Sequence, residues 1–187
     1  MKALLLVLLL SVGAGWVVVP GKSIGPLKQS TTRADLDGLK LPDGQLMDGS
    51  DGSEIWAMEP DKRLSVRWAN PKQTRIASIF TSSKLYRTAS GIGVGTRLSE
   101  LAKRNGADIQ FSNFGADPPG AITSWGQGKL AREFKGLQLT LTWRTPRYSA
   151  LSGPEKESLE QQAGGFSSSS AVARKLDPTV ESMTLTL

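Results

Sequence analysis

The stretch Gly91-Ile92-Gly93-Val94-Gly95-Thr96-Arg97-Leu98-Ser99-Glu100-Leu101-Ala102-Lys103-Arg104-Asn105-Gly106 decides the fold, because it specifies one short helix and has a fainter copy near the start of the chain. Leu98, Leu101 and Ala102 fall at i, i+3 and i+4 and make one narrow apolar stripe. Glu100 stands early and Lys103 and Arg104 late, the favourable order for the helix dipole. Thr96 is placed to cap the first turn through its hydroxyl, and Asn105-Gly106 to close the last turn in a left-handed conformation. The fainter copy is Thr32-Arg33-Ala34-Asp35-Leu36, where Thr32 and Asp35 predict a capped short helix that Gly38 ends.

Strands follow each helix in the same order. Leu64-Ser65-Val66-Arg67-Trp68 parallels Leu139-Thr140-Leu141-Thr142-Trp143, and Arg75-Ile76-Ala77-Ser78-Ile79 parallels Thr179-Val180-Glu181-Ser182-Met183. In Leu64–Trp68 and in Leu139–Trp143 apolar and polar residues alternate, as in a strand with one wet face. A third copy is missing, so the pattern reads as a duplication rather than a solenoid. The expected fold is α+β: two helix-then-strands pseudo-repeats, residues 23–83 and 89–187, forming antiparallel sheet with helices on one face. Residues 145–175 read as an insertion in the second copy. It holds a polar helix from Glu155 to Ala163 and a flexible Gly/Ser run in which Phe166 is the one large apolar residue.

The first 20 residues stand apart. Met1-Lys2 precedes the apolar run Ala3 to Leu10, and Val12-Gly13-Ala14 supplies small residues where a signal peptidase cuts. The expectation is a cleaved secretory signal, the alternative an N-terminal anchor, with one exported domain over residues 21–187. The chain has no cysteine, which excludes disulfides and a cysteine-linked lipid, and no histidine, which removes the usual general base and metal ligand. The formal charge of +6 is spread as single basic residues among acids. Arg132, Lys135, Arg144 and Arg147 read as a solvated face, and no nucleic-acid partner is expected.

Several motifs fail on their chemistry. Gly21-Lys22-Ser23-Ile24-Gly25 has the spacing of a hydrolase elbow without the histidine that chemistry needs. The glycines before Thr96 resemble a dinucleotide loop, but Thr96 stands where the third glycine belongs. Ser99 and Lys103 are four apart rather than three. Asp43, Asp48, Asp51 and Glu54 do not fall on calcium-loop positions, because Gln45 and Met47 interrupt them. No metal or cofactor is expected.

Leu98 to Leu101, Asn105-Gly106, Phe111, Phe114-Gly115, Asp117, Gly120, Ser124-Trp125 and Gly128-Lys129-Leu130 together carry a resemblance. The order and spacing over residues 91–130 resemble an uncharacterised group of bacterial exported proteins. Pro118-Pro119-Gly120 departs from the aromatic-Gly-Gly usual in that group. More distantly, the helix-then-strands unit used twice is similar to β-lactamase-inhibitor-like and outer-membrane-assembly-lipoprotein folds, which bind proteins in the envelope. The resemblance implies export and a fold, with no activity attached.

The functional expectation is therefore an exported, periplasmic or secreted, non-catalytic protein that binds an envelope partner, touching the membrane only through an uncleaved N-terminus. The alternative is a carboxylate-dependent hydrolase of envelope glycans built around Asp117. Candidate binding residues are Asp117, Pro118 and Pro119 in the Gly115–Gly120 turn, Phe166 in the Gly/Ser run, and the tryptophans Trp56 and Trp125.

Overall fold

The computed structural model describes residues 17–39, 46–48, 54–57 and 63–187, with backbone alone for 46–48 and 54–57. Residues 1–16 of the expected secretory signal, the stretch Pro42-Asp43-Gly44 and most of the Asp48–Ser53 cluster lie outside the described residues. In chain order the elements are β1 (Val17–Val19), β2 (Ser23–Ile24), β3 (Leu27–Lys28), α1 (Arg33–Gly38), β4 (Leu46–Asp48), β5 (Glu54–Ala57), β6 (Leu64–Trp68), β7 (Ile76–Thr81) and β8 (Arg87–Thr88). Then come α2 (Leu98–Asn105), β9 (Gln110–Phe111), β10 (Ile122–Ser124), α3 (Leu130–Glu133), β11 (Leu137–Thr142), a 3-10 turn (Pro146–Ala150), α4 (Gly153–Gln161), β12 (Phe166–Ser167), α5 (Ala171–Leu176) and β13 (Thr179–Thr186).

The fold is α+β. Its main sheet has six strands in the order β11-β13-β7-β6-β5-β4, each neighbouring pair antiparallel. Alternation sorts its two faces. Leu64, Val66, Ile76, Ile79, Leu139, Leu141, Met183 and Leu185 are buried, while Arg67 and Glu181 are exposed between them. Leu36, Leu98, Leu101, Leu130, Leu159 and Leu176 join the same apolar cluster, so all five helices feed the core that this sheet covers. Full burial of each such leucine stabilises by roughly 1.5–3 kcal/mol. The described residues also form two smaller sheets, β3-β2-β1-β8 and β10-β9-β12.

The central four strands share one register pattern. β6 and β7 pair Leu64 with Thr81, Val66 with Ile79 and Trp68 with Ile76, skipping Ala77 at a bulge. β11 and β13 pair Leu137 with Leu185, Leu139 with Met183 and Leu141 with Val180, skipping Glu181 at a bulge. Between the hairpins, Met183↔Thr81 and Leu185↔Ile79 flank a central Thr184↔Phe80 pair. The bulges align Trp68 with Leu141, not with Trp143. The string match at Leu139–Trp143 is thus displaced by two residues, a slip that keeps every side chain on its own face and so leaves the alternation intact.

Three local expectations are corrected. Val17–Val19, read with the leader, is a strand of the domain: it pairs with β2 and, in parallel, with β8, and Val18 is buried. The boundary drawn after Pro20 therefore falls inside a sheet. The 145–175 insertion is structured through much of its length, with α4, β12 and the start of α5 in it. Thr96 does not cap α2, since Arg97 occupies that position without a side-chain bond, and the Thr96 hydroxyl instead accepts from the Gly93 amide at 3.1 Å. The capping box at Thr32 and Asp35 forms as read, and Gly106 closes α2 at φ 73°.

α4 carries a pH-dependent contact. Ser152 and Glu155 form its capping box, and the Glu155 carboxylate also accepts from Lys175 Nζ at 2.9 Å, tying α4 to α5. The Lys175 bond and then the Ser152 amide hold the Glu155 carboxyl at about 2. Because the folded value is depressed, this contribution is complete above the ordinary carboxylate value of 4.5 and is lost as pH falls through about 2. We expect the melting temperature to fall less steeply across that window in Glu155→Gln than in the parent chain. Equal slopes by differential scanning fluorimetry would refute the assignment.

Candidate functional site

The Gly115–Gly120 turn hangs on a pinned base. Ser112 Oγ donates to the Pro118 carbonyl at 2.8 Å and accepts from the Ala121 amide at 2.9 Å. Asn113 Nδ2 donates to the Gln162 carbonyl at 3.0 Å, and its Oδ1 accepts from the Gly115 amide at 2.9 Å. Gly115 and Gly120 lie so close to the carbonyls of Glu160 and Leu141 that a Cβ on either would collide. Above this base Asp117, Pro118 and Pro119 are exposed, with a cis bond between the first two.

The remaining motif residues of 91–130 converge on Asn105. Its amide is 1% exposed. Nδ2 donates to the carbonyls of Ala107 (2.9 Å) and Trp125 (2.8 Å), and Oδ1 accepts from the Leu130 amide at 3.1 Å. The Asn105 carbonyl takes the Lys129 amide at 2.9 Å. A Cβ on Gly128 would fall inside the Asn105 amide. One side chain thus binds the Asn-Gly, Ser-Trp and Gly-Lys-Leu segments together. Trp125 is half-buried and meets Phe134 edge-on, with ring centroids 5.2 Å apart.

Phe166 is in the core rather than on a mobile loop. It is 2% exposed, stacks on Phe111 at 5.6 Å, and pairs with it across β9 and β12. The serines after it are ordered by Asp108, whose carboxylate accepts from Ser169 Oγ (2.7 Å) and Ser167 Oγ (3.0 Å). Those hydroxyls, Ser169 first, hold the Asp108 carboxyl below its usual range. The backbone at Trp56 lies in β5 opposite Ser65; its side chain is outside the described residues.

No family model matches the chain, and no curated protein matches it. Among solved structures it is similar to the crystal structure of the uncharacterized protein yfeY from Escherichia coli, with a TM-score of 0.50 at 15% identity. The match covers 90% of this chain and 99% of that one. Likeness at that identity speaks for the fold alone.

A feature missed in the sequence lies at the start of α2. The Leu98 amide donates to the Pro178 carbonyl at 2.8 Å, and the Ser99 amide donates to Asp177 Oδ1 at 2.9 Å. Asp177, left-handed at φ 46° and 6% exposed, caps the helix from 78 residues away. Ser99 Oγ also donates to it at 3.1 Å, Arg147 Nη1 donates at 3.3 Å, and Arg97 Nη1 stands at 3.9 Å. These residues, with Arg174 and Ser168, line a cleft of about 360 Å³. Arg147, expected on a solvated face with Arg132, Lys135 and Arg144, lines this cleft instead. No short-range signal links it to Arg97 and Arg174, because the convergence is made by tertiary contacts.

Among the described residues no group of three or more acidic, His or Cys side chains is placed to hold a metal, and no helix is long and apolar enough to cross a membrane. The Ser99 hydroxyl is engaged with Asp177, and Asp117 is not among the residues lining the cleft at the start of α2.

Proposed function

We propose that the protein is an exported, non-catalytic binding protein of the cell envelope, with the Gly115–Gly120 turn as its partner-facing edge. The observation that carries this reading is the contrast within that turn. Its base is fixed by Ser112, Asn113 and two glycines in close contact, while Asp117, Pro118 and Pro119 project into solvent. Residues already ordered lose little freedom on binding, which favours association. The buried polar groups Asn105 and Asp177 hold elements together instead of facing a reacting atom. The matching bulges and the Thr184↔Phe80 centre support descent of the two hairpins from one duplicated unit.

Affinity capture of envelope proteins on the purified chain tests the siting. Pro118→Gly with Pro119→Gly is expected to reduce recovery of a specific partner about tenfold, with a small change in melting temperature. Full retention of every partner would refute it. Hydrolysis of envelope glycans abolished by Asp117→Asn would replace the binding role with the carboxylate hydrolase.

A further inference from the structure

We propose that the cleft between Arg97, Arg147 and Arg174 binds a phosphate dianion, free or as the phosphomonoester of a lipid headgroup. Three separate segments bring these guanidinium groups together: the residue before α2, the 3-10 turn and the last turn of α5. Like charges gathered at one cleft repel unless an anion offsets them. The cleft itself supplies one carboxylate, Asp177, and that group already takes the Ser99 amide, the Ser99 hydroxyl and Arg147. Asp108 stands behind Ser168, 3.4 Å from its hydroxyl, with its oxygens engaged by the serines of the loop.

The donors that remain are well suited to an oxyanion. Arg97 lies beyond hydrogen-bond distance of Asp177, and neither Arg97 nor Arg174 makes a side-chain hydrogen bond among the described residues. The Arg97 and Arg147 side chains are 61% and 50% exposed, so their forks are open to solvent. A guanidinium presents five donors in a fixed fork that matches phosphate oxygens. Three lining cations face one lining anion, and Asp108 beyond Ser168 also attracts Arg174, so the cleft stays net positive. A phosphomonoester, with three acceptor oxygens and nearly two charges, can take donors from all three forks at once, where a carboxylate offers two oxygens. A cleft of about 360 Å³ holds a phosphate with a small organic group attached. The α2 N-terminus plays no part in this, since its amides are already taken by Asp177 and Pro178.

The test uses two probes on the whole chain: inorganic phosphate by calorimetry at low ionic strength, and flotation with phosphatidylcholine vesicles with or without phosphatidic acid. Arg97→Gln with Arg174→Gln is expected to weaken binding at least about tenfold. Lys72→Gln with Lys84→Gln, equal in charge and not among the residues that line the cleft, should change it less than about twofold. Neither probed arginine makes a side-chain hydrogen bond among the described residues, so the melting curve of the arginine variant should stay close to that of the parent. Binding of phosphate assigns a soluble ligand, and binding of phosphatidic-acid vesicles alone assigns a lipid headgroup. No saturable binding of either probe, or equal weakening in both variants, overturns the proposal. Retention of phosphate binding by a chain that captures no partner would contradict only the partner-binding role.

Discussion

Asn105→Ala is expected to lower the unfolding free energy by about 3 kcal/mol and the melting temperature by roughly 6–12 °C. The substitution removes both donors to the Ala107 and Trp125 carbonyls and the acceptor for the Leu130 amide. Each buried polar group left without a partner costs about 1–3 kcal/mol, and these three share one small space, so their costs do not simply add. Asn105→Asp tests the chemistry separately. It places a carboxylate oxygen where two carbonyls need a donor, so it should destabilise at least as much as alanine despite its matched shape. A loss below about 1 kcal/mol for either variant in urea denaturation would contradict the role assigned to this side chain.

Asp177→Ala is expected to cost about 2–3 kcal/mol. It strips the first turn of α2 of its carboxylate acceptor and leaves the Ser99 amide and hydroxyl without a partner. Alanine is also poorly suited to the left-handed backbone at position 177, where aspartate and asparagine are tolerated. Asp177→Asn keeps the backbone preference and one oxygen acceptor, so it should cost about 1 kcal/mol. Equal losses for the two variants would mean that the charge, and not the cap, stabilises this junction.

The parts of the fold legible in the sequence are those encoded over a few residues. The Leu98/Leu101 stripe, the Thr32/Asp35 box, the Gly106 cap and the alternation in β6 and β11 are such features, and all appear in the structure. What could not be read depends on long-range contact. Asn105 beside Gly106 has a sufficient local explanation as helix-end chemistry, which concealed its bonds to Trp125 and Leu130. The true cap of α2 comes from Asp177, and Thr96 looked adequate for that task from its position alone. A Gly/Ser run is the ordinary mark of a loose loop, yet Phe166 anchors it to Phe111 and Asp108 gathers its hydroxyls. Val17–Val19 continued an apolar run and so merged with the leader, although Val18 belongs to the core. Of the candidate site, the exposed turn at Asp117 was visible in its Gly and Pro residues, whereas the arginine cleft was not.

The Asn-Gly, Ser-Trp and Gly-Lys-Leu residues meet at the Asn105 amide, and that junction serves the fold. A double-mutant cycle between Asn105 and Gly128 tests it directly. Gly128 does not have a left-handed backbone, and the three atoms nearest a Cβ there all belong to the Asn105 amide. Gly128→Ala should therefore cost about 2 kcal/mol in the parent chain and much less in Asn105→Ala, where the methyl enters vacated space. The predicted result is a double variant more stable than the sum of the single losses by at least about 1 kcal/mol. Additive losses, within about 0.5 kcal/mol, would show that the two residues do not meet and would contradict the account.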